Sequence, residues 1–404
     1  MEKTNIEYKL GCEFLYNFVS ISPFKIMTCP DDFFGERSSF NVEYNGADNI
    51  QEALKKNLLI REQAIEALAK NEKTPCNNCE HLRWGYYPAK PDISRVGFCG
   101  KFRDEGCNFS CCYCNVPDNP SYPMDIIDVL RPIGDLFKGE KLKINFATME
   151  FFIRHDCDDI LKFCHENKYS VHFTTNGSVF REAVTALAKE GNVELINISL
   201  DSGTPETYAR IKGVDCFKQT IENIKKYCAL NIPITLKYIM LEGINDSRSE
   251  IEEFLKIAAR LKTSIAISSN QFVKNTRLKR ETLILIDYMI QKCKQNELNI
   301  FFYQEYFNFE DFIEINKMLE IYYLDRRLTE FQKYIYPMIE QRTDELHNRI
   351  NEFHGHIYPM IDHRIDDLHK RIDQMNDNYN ELLNKINKQQ RRWNEKLFGF
   401  LKES

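Results

Sequence analysis

No stretch of about 18 apolar residues occurs anywhere in the chain, so a membrane-spanning helix is excluded. The opening Met1-Glu-Lys-Thr-Asn-Ile has no apolar signal core. Leu10-Gly11-Cys12 has the look of a lipoprotein site, but nothing before it could act as a leader. A basic excess is missing too: the formal net charge is −6 and the pI near 5.9, which argues against nucleic acid as a partner. Fourteen cysteines could build a secreted disulfide framework. Without a signal core they point instead to a reducing, cytoplasmic compartment with thiols kept for metal. Cysteine also stops early, none following Cys293. At 404 residues the chain can fold one large domain and smaller ones beside it.

What is present concentrates in one run, Cys107-Asn-Phe-Ser-Cys111-Cys112-Tyr113-Cys114. Three thiols spaced C-x3-C-x2-C cannot sensibly pair among themselves, but a loop can wrap them around one metal centre. Thiolates are the soft ligands that iron–sulfur clusters and zinc prefer. Three ligands rather than four leave a corner open for chemistry. On residue type alone a zinc knuckle, or cysteines buried as small hydrophobes, stays open beside the cluster. With an aromatic before the last cysteine, the run resembles the cluster loop of the radical S-adenosylmethionine (SAM) superfamily. The resemblance implies that Cys107, Cys111 and Cys114 hold a 4Fe–4S cluster whose vacant iron takes the amino and carboxylate groups of SAM. It further implies reductive cleavage to a 5′-deoxyadenosyl radical, hydrogen abstraction from a substrate, and a flavodoxin- or ferredoxin-type electron donor.

Around this run, short apolar segments alternate with amphipathic ones, the signature of βα units on a parallel sheet. Strands are expected at 95–98, 142–146, 170–174, 194–200, 232–239 and 264–268, and helices at 156–166, 182–189, 217–228 and 249–261. The fold class is therefore α/β, a partial (β/α)6 TIM-like barrel open on one side, with function on the loops after the strands. The domains are expected at 1–90 for a cysteine-containing N-terminal module, 91–318 for the core and 319–404 for a helical coiled-coil tail.

The resemblance extends to later strand ends. Thr148-Met149-Glu150 stands where the family has Gly-Gly-Glu, so Glu150 would help hold SAM while the two glycines are missing. Thr175-Asn176-Gly177 is similar to the family's Thr-Asn-Gly, although Asn-Gly is also a plain turn dipeptide. Ser199 in Ser199-Leu-Asp201-Ser-Gly-Thr204-Pro205 is placed to bond SAM, while Thr204 and Pro205 also read as a helix start. Lys237 on the fifth strand completes the set, with Ser268 after the sixth strand weaker.

Before the barrel, Cys12, Cys29, Cys76 and Cys79 supply four more thiols around a helical stretch at 48–69 carrying Arg61. C-x2-C is a chelate spacing. The pattern resembles the auxiliary-cluster modules called SPASM, placed ahead of the barrel rather than after it. A second 4Fe–4S cluster, a zinc site with His81, and thiols without metal are the alternatives, with Cys99 as a substitute ligand. Cys112, Cys157, Cys164, Cys216, Cys228 and Cys293 are expected in the core.

From about Tyr323 the chain turns into charged helix with an internal repeat: 335–353 recurs as 357–375, 11 of 19 positions identical at an offset of 22. Apolar positions at Ile339, Leu346, Ile350, Ile361, Leu368, Ile372, Tyr379, Leu383 and Ile386, with Ile335 and Ile357, follow 11-residue blocks. That period gives a straight or right-handed coil. Pro337 and Pro359 mark kinks or helix starts. One helix cannot bury so narrow a stripe, so a homo-oligomer or a protein partner is expected through this tail. His347, His354, His356, His363 and His369 read as solvated surface.

The expected activity is that of a radical SAM enzyme acting on a small-molecule or peptide substrate. A sugar or surface-polysaccharide precursor is favoured, with a peptide-modifying maturase or a non-catalytic zinc or Fe–S scaffold as alternatives.

Overall fold

The structure, a computed structural model, describes residues 6–29, 40–77, 79, 81–103, 106–114, 123–137, 141–270, 276–303, 306–330, 336–353 and 358–399. The chain divides into two compact units, Met1–Lys274 with Leu298–Tyr306, and Asn275–Glu297 with Phe307–Ser404.

The strands of the first unit are β1 (Ile6–Gly11), β2 (Phe18–Ile21), β3 (Lys25–Met27), β4 (Val42–Glu43), β5 (Arg83–Pro88), β6 (Arg95–Gly100), β7 (Lys143–Thr148), β8 (Ser170–Thr175), β9 (Val193–Ser199), β10 (Ile234–Met240), β11 (Ser264–Ser269) and β12 (Ile300–Phe302). Its helices are α1 (Glu13–Tyr16), α2 (Ile50–Ala69), α3 (Ile126–Leu136), α4 (Cys157–Glu166), α5 (Val184–Lys189), α6 (Pro205–Lys212), α7 (Phe217–Cys228) and α8 (Arg248–Leu261).

One ten-stranded sheet runs β12-β11-β10-β9-β8-β7-β6-β2-β3-β4, and β1 pairs with β5 in a separate ribbon. Strands β2 and β6 to β12 run parallel, while β3 and β4 are antiparallel to their neighbours. This is the expected partial TIM-like barrel, open between its end strands among the described residues. The six expected strands are all there within two residues at each end. The N-terminal segment joins the same sheet through β2, β3 and β4 and its α2 covers the expected helical stretch. Strands of two to four residues carry no readable period, which hid these and β12 from sequence.

Alternation along each strand separates a covered outer face from an inner wall. On β7, Ile144, Phe146 and Thr148 are buried while Lys143, Asn145 and Ala147 are more open. Register partners Phe98, Phe146 and Phe173 form a stacked ladder with 5.7 Å between neighbouring rings, and Phe151 lies on Phe146 at 4.4 Å. Such pairs add about 0.5–1.5 kcal/mol each beyond their burial. They pin the 3-10 turn Phe151–Ile153, and with it Glu150, at the end of β7.

The second unit holds α9 (Arg280–Gln295), α10 (Phe309–Glu330), α11 (Tyr336–Phe353) and α12 (Tyr358–Gly399). Arg277, ahead of α9, bonds Asp311 of α10 at 2.5 Å, and the Leu278 amide donates to the same carboxylate at 2.7 Å. Pro337 and Pro359 stand at the first turns of α11 and α12, so both are helix starts rather than kinks. The repeat-equivalent His347 and His369 meet with ring centroids 5.1 Å apart. Leu346 and Leu368 are exposed, and Ile339, Ile372, Tyr379, Leu383 and Ile386 half-buried. Ile335, Ile357, His354 and His356 lie outside the described residues, as do the side chains of Ile350, Ile361 and His363. No described helix is long and apolar enough to cross a membrane.

Candidate active site

The cysteine run follows β6 and docks on the C-terminal end of α6. The Ser110 amide donates to the Lys212 carbonyl at 3.1 Å and the Cys112 amide to the Ile211 carbonyl at 2.9 Å. Two helix-end carbonyls that would otherwise lack partners are thereby satisfied. Gly213 makes the approach possible. It ends α6 at φ +71°, and a Cβ there would stand 2.3 Å from Ser110 Oγ and 2.9 Å from its carbonyl oxygen. Phe109 plugs in beside Tyr208, ring centroids 6.2 Å apart.

Tyr113 locks the loop electrostatically. Its hydroxyl donates to Asp201 Oδ2 at 2.8 Å, and Lys212 Nζ donates to the same oxygen at 2.5 Å and to Tyr113 at 3.1 Å. Lys212 and Asp201 are both 0% exposed. The other Asp201 oxygen accepts from the Ile239 amide at 2.9 Å, and Asn245 Nδ2 donates to the Asp201 carbonyl at 2.8 Å. So many fixed partners hold Asp201 at φ +60°, a region that non-glycine residues avoid. Burial and the Asp201 charge push the Tyr113 hydroxyl well above its usual range. The structure commits Asp201 to Lys212 and Tyr113.

Cys107 and Cys111 are half-buried and Cys114 exposed. Burial raises the Cys107 thiol, and raises Cys111 to about 11 against the pull of Lys212. Cys107 feels the charge of Cys114, and Cys111 that of Cys107. Asn176 Nδ2 reaches Cys107 Sγ at 3.6 Å and Asn108 Oδ1 at 2.9 Å. No three ligating side chains among the described residues converge on a point as a single ion demands. A cubane spreads its thiolates over separate irons and does not ask for that. The donor set fits such a cluster.

The structure brings Glu150 and Asn176 together. Glu150 Oε2 accepts from the Asn176 amide at 2.5 Å, and Oε1 from Thr175 Oγ1 at 2.6 Å and the Phe152 amide at 3.2 Å. That uses three of about four lone-pair sites on a carboxylate. Burial raises its pKa although all three bonds oppose the shift. Gly177 follows at φ +76°, so the Asn-Gly dipeptide is a real turn as well. Thr148 Oγ1, where the family has glycine, is buried without a partner.

Ser199 and Lys237 are register partners on β9 and β10. Lys237 Nζ lies 5.2 Å from the ring centroids of both Tyr303 and Tyr306. Asn197, two residues before Ser199, donates to the Tyr303 hydroxyl at 2.6 Å. Asn197 Oδ1, Asn145 Oδ1, His172 Nε2 and Ser268 Oγ are buried without a hydrogen-bond partner. Asn145, His172 and Asn197 carry a sequence signal as polar residues inside parallel strands, where near-continuous apolar runs are the rule, whereas Tyr303 follows β12 and carries none.

Cys12, Cys29 and Cys76 are buried and Cys79 half-buried in the N-terminal part, while His81 packs edge-on to Phe14 with centroids 5.2 Å apart. Cys99 lies in the sheet, its Sγ 3.3 Å from Ser20 Oγ. Among the six cysteines expected in the core, Cys157, Cys164 and Cys293 are buried and Cys216 and Cys228 half-buried. Cys112 is exposed, because its amide turns inward to Ile211.

Residues 105–258 match the family model of the radical SAM superfamily. The chain carries a radical SAM domain. The matched stretch runs from the cysteine loop into α8, covering the docking surface on α6. The GTP 3′,8-cyclase of Nautilia profundicola is 28% identical over 206 residues, 48% of this chain and 63% of that protein. A probable GTP 3′,8-cyclase of Thermococcus kodakarensis is 30% identical over 167 residues, 40% of this chain and 52% of that one. The chain thus spans about half to just under two thirds of these relatives. Among solved structures, Streptococcus suis SuiB bound to S-adenosylmethionine is 17% identical, with TM-score 0.42 over 61% of this chain and 52% of that one.

Proposed function

We propose that this protein is a radical SAM enzyme, with Cys107, Cys111 and Cys114 as the cluster ligands. The observation that carries the reading is the three-thiol loop fixed on α6 by Gly213 and the Lys212–Asp201–Tyr113 network. When bound, the 4Fe–4S cluster and SAM supply one-electron cleavage to a 5′-deoxyadenosyl radical that takes a hydrogen atom from substrate. The protein's part is placement. Asn176 lends an amide N–H to the Cys107 sulfur, Glu150 fixes the Asn176 turn and keeps an acceptor site for an ammonium group, and Ser199 and Lys237 face the same end of the inner wall.

The substrate reading rests on that wall. Asn145, His172 and Asn197 present buried polar atoms without partners, and Asn197 also donates to the Tyr303 hydroxyl. Planar polar groups next to an aromatic face suit a polyhydroxylated ligand, which favours a sugar or sugar-linked precursor over a peptide. The relatives' names supply a second reading, a nucleotide, for which Lys237 would be the cation toward phosphate. The tail helices, with Leu368, Met375 and Leu382 exposed, are proposed to pair with another copy or a protein partner. A reducing compartment suits the exposed loop thiols.

The test is anaerobic reconstitution with iron and sulfide. Brown protein that makes 5′-deoxyadenosine with dithionite supports the reading, and the Cys107→Ala/Cys111→Ala/Cys114→Ala variant should make none. Zinc alone, with no iron or sulfide taken up, would instead favour a scaffold. Deuterated sugar nucleotides and purine nucleotides, scored by label carried into 5′-deoxyadenosine, separate the two substrate readings.

A further inference from the structure

The ribbon of β1 and β5 runs in register from Ile6↔Pro88 to Gly11↔Arg83. Successive side chains of a strand point to opposite faces, so the ribbon has two distinct sides. Glu7, Lys9, Gly85 and Tyr87 share one side, and that side is anchored. Tyr87 stacks on the buried Tyr16 with centroids 4.9 Å apart, and Lys9 Nζ lies 5.3 Å from the Tyr16 ring centroid. On the other side Ile6, Tyr8, Trp84 and Tyr86 are 61–77% exposed. Tyr8 packs on Trp84 at 6.0 Å and on Tyr86 at 5.1 Å, so the exposed residues form one strip. Apolar residues scattered singly are ordinary on a surface, but a contiguous strip marks a contact.

Among the described residues no third strand pairs with either edge of this ribbon. Two strands alone are marginal in water, and a bare edge is a template for another strand. The two edges differ. β5 ends in Pro88, which blunts it. β1 has neither proline nor bulge, and its lysine, which could repel a neighbour, is drawn in over Tyr16. Pro88 also decides which backbone groups β1 offers. It has no N–H, so Ile6↔Pro88 is a non-hydrogen-bonded pair, and by alternation Tyr8↔Tyr86 is another. The N–H and C=O of Tyr8 therefore point away from β5, toward the bare edge.

The β1 segment Ile6-Glu7-Tyr8-Lys9-Leu10 is complementary to itself when reversed. We infer that β1 pairs antiparallel with β1 of a second copy of this chain, about a twofold axis at Tyr8. The two ribbons then form one four-stranded sheet, through a contact separate from the tail helices. Tyr8 faces its own counterpart and Ile6 faces Leu10, and these pairs exchange the outward N–H···O bonds. Glu7 of each copy faces Lys9 of the other at non-hydrogen-bonded positions, where side chains come closest. Within one strand the same two side chains already meet at 3.4 Å. Moving the axis to Glu7 or to Lys9 sets like charges opposite each other, so the charges fix the register as well as the partner.

The experiment follows self-association of the full chain by analytical ultracentrifugation. Glu7→Lys and Lys9→Glu each turn two attractive cross-strand pairs into repulsive ones, and each should weaken association about tenfold. The Glu7→Lys/Lys9→Glu double variant should recover it. So should an equimolar mixture of the two single variants, because each copy then faces charges opposite to its own. A carbodiimide should also link Glu7 to Lys9 between an isotope-labelled and an unlabelled native chain, which mass spectrometry reads whatever the tail helices do. Glu7 is exposed, so its variant carries the test even where Lys9→Glu disturbs the Tyr16 contact, and circular dichroism checks both folds. Association equal in all variants, weakening that the mixture does not reverse, or no link between labelled and unlabelled chains overturns the pairing.

Discussion

Among the described residues of the first unit, the wholly buried cations Lys212 and Arg61 are balanced in opposite ways. Lys212 meets Asp201 at 2.5 Å inside a closed set that includes Tyr113 and the Ile239 amide. Arg61 meets only carbonyl and amide oxygens, with Nη2 left over. The first arrangement is complete within the protein, so the three-cysteine loop can be in place before any metal arrives. The second leaves one buried donor unmet. The cation's company therefore separates a charge closed by a carboxylate from one held by neutral oxygens alone.

The largest effect should come from breaking the complete pair. Lys212→Met leaves Asp201 buried and uncompensated, which should cost about 3–5 kcal/mol. Asp201→Asn should cost a similar amount, and the double variant should recover most of it, because two neutral groups need no counter-charge. Urea unfolding of the four proteins closes the cycle. Additive losses would mean that Lys212 and Asp201 do not act as a pair. Both single variants should also bind less iron at the loop, since Tyr113 loses its anchor.

Arg61 sharpens the contrast because every partner it meets is neutral. Arg61→Met forfeits its bonds to Asn57 Oδ1 and to the Phe14 and Phe18 carbonyls, about 1.5–3 kcal/mol each for a charged donor, offset by relief of a buried and unpaired charge. The net loss read by urea unfolding should therefore be smaller than that of Lys212→Met. A loss as large as that of Lys212→Met would mean that neutral oxygens balance a buried cation as well as a carboxylate does. At the loop, Gly213→Ala should cost about 1–3 kcal/mol through its left-handed backbone and the Ser110 contact. That loss should be the same with and without metal, because the docking is made by protein alone.

How much of this could be read beforehand follows the range of each interaction. The cysteine spacing, the six main strands and the Thr204-Pro205 helix start are local patterns, and Thr204 indeed caps α6 by accepting from the Thr207 amide at 3.4 Å. Pairings over long separations were not legible. Tyr113 and Asp201 lie 88 residues apart, and nothing near either names the other. Arg61 reads in the sequence only as part of a helix, and spacing cannot show that no carboxylate among the described residues pairs with it. Glu150 was read as a ligand on family pattern, and the structure adds that its oxygens already hold the Asn176 turn.

Glu150 gives the smallest test of the same contrast, since it is a buried carboxylate met only by neutral donors. Burial raises its pKa above the ordinary 4.5 despite bonds from Asn176, Thr175 and Phe152. The folded state then keeps a proton at pH values where the unfolded chain has released it. Its contribution to stability is fully present below 4.5 and is lost as pH rises through the raised folded value. In Glu150→Gln this titration is gone, although a side-chain amide now faces donors, which gives a constant loss. The stability difference, wild type minus variant, measured by urea unfolding from about pH 4 to about pH 8, should therefore decline with rising pH. A difference that grows instead would mean that the three donors outweigh burial and hold Glu150 as a carboxylate.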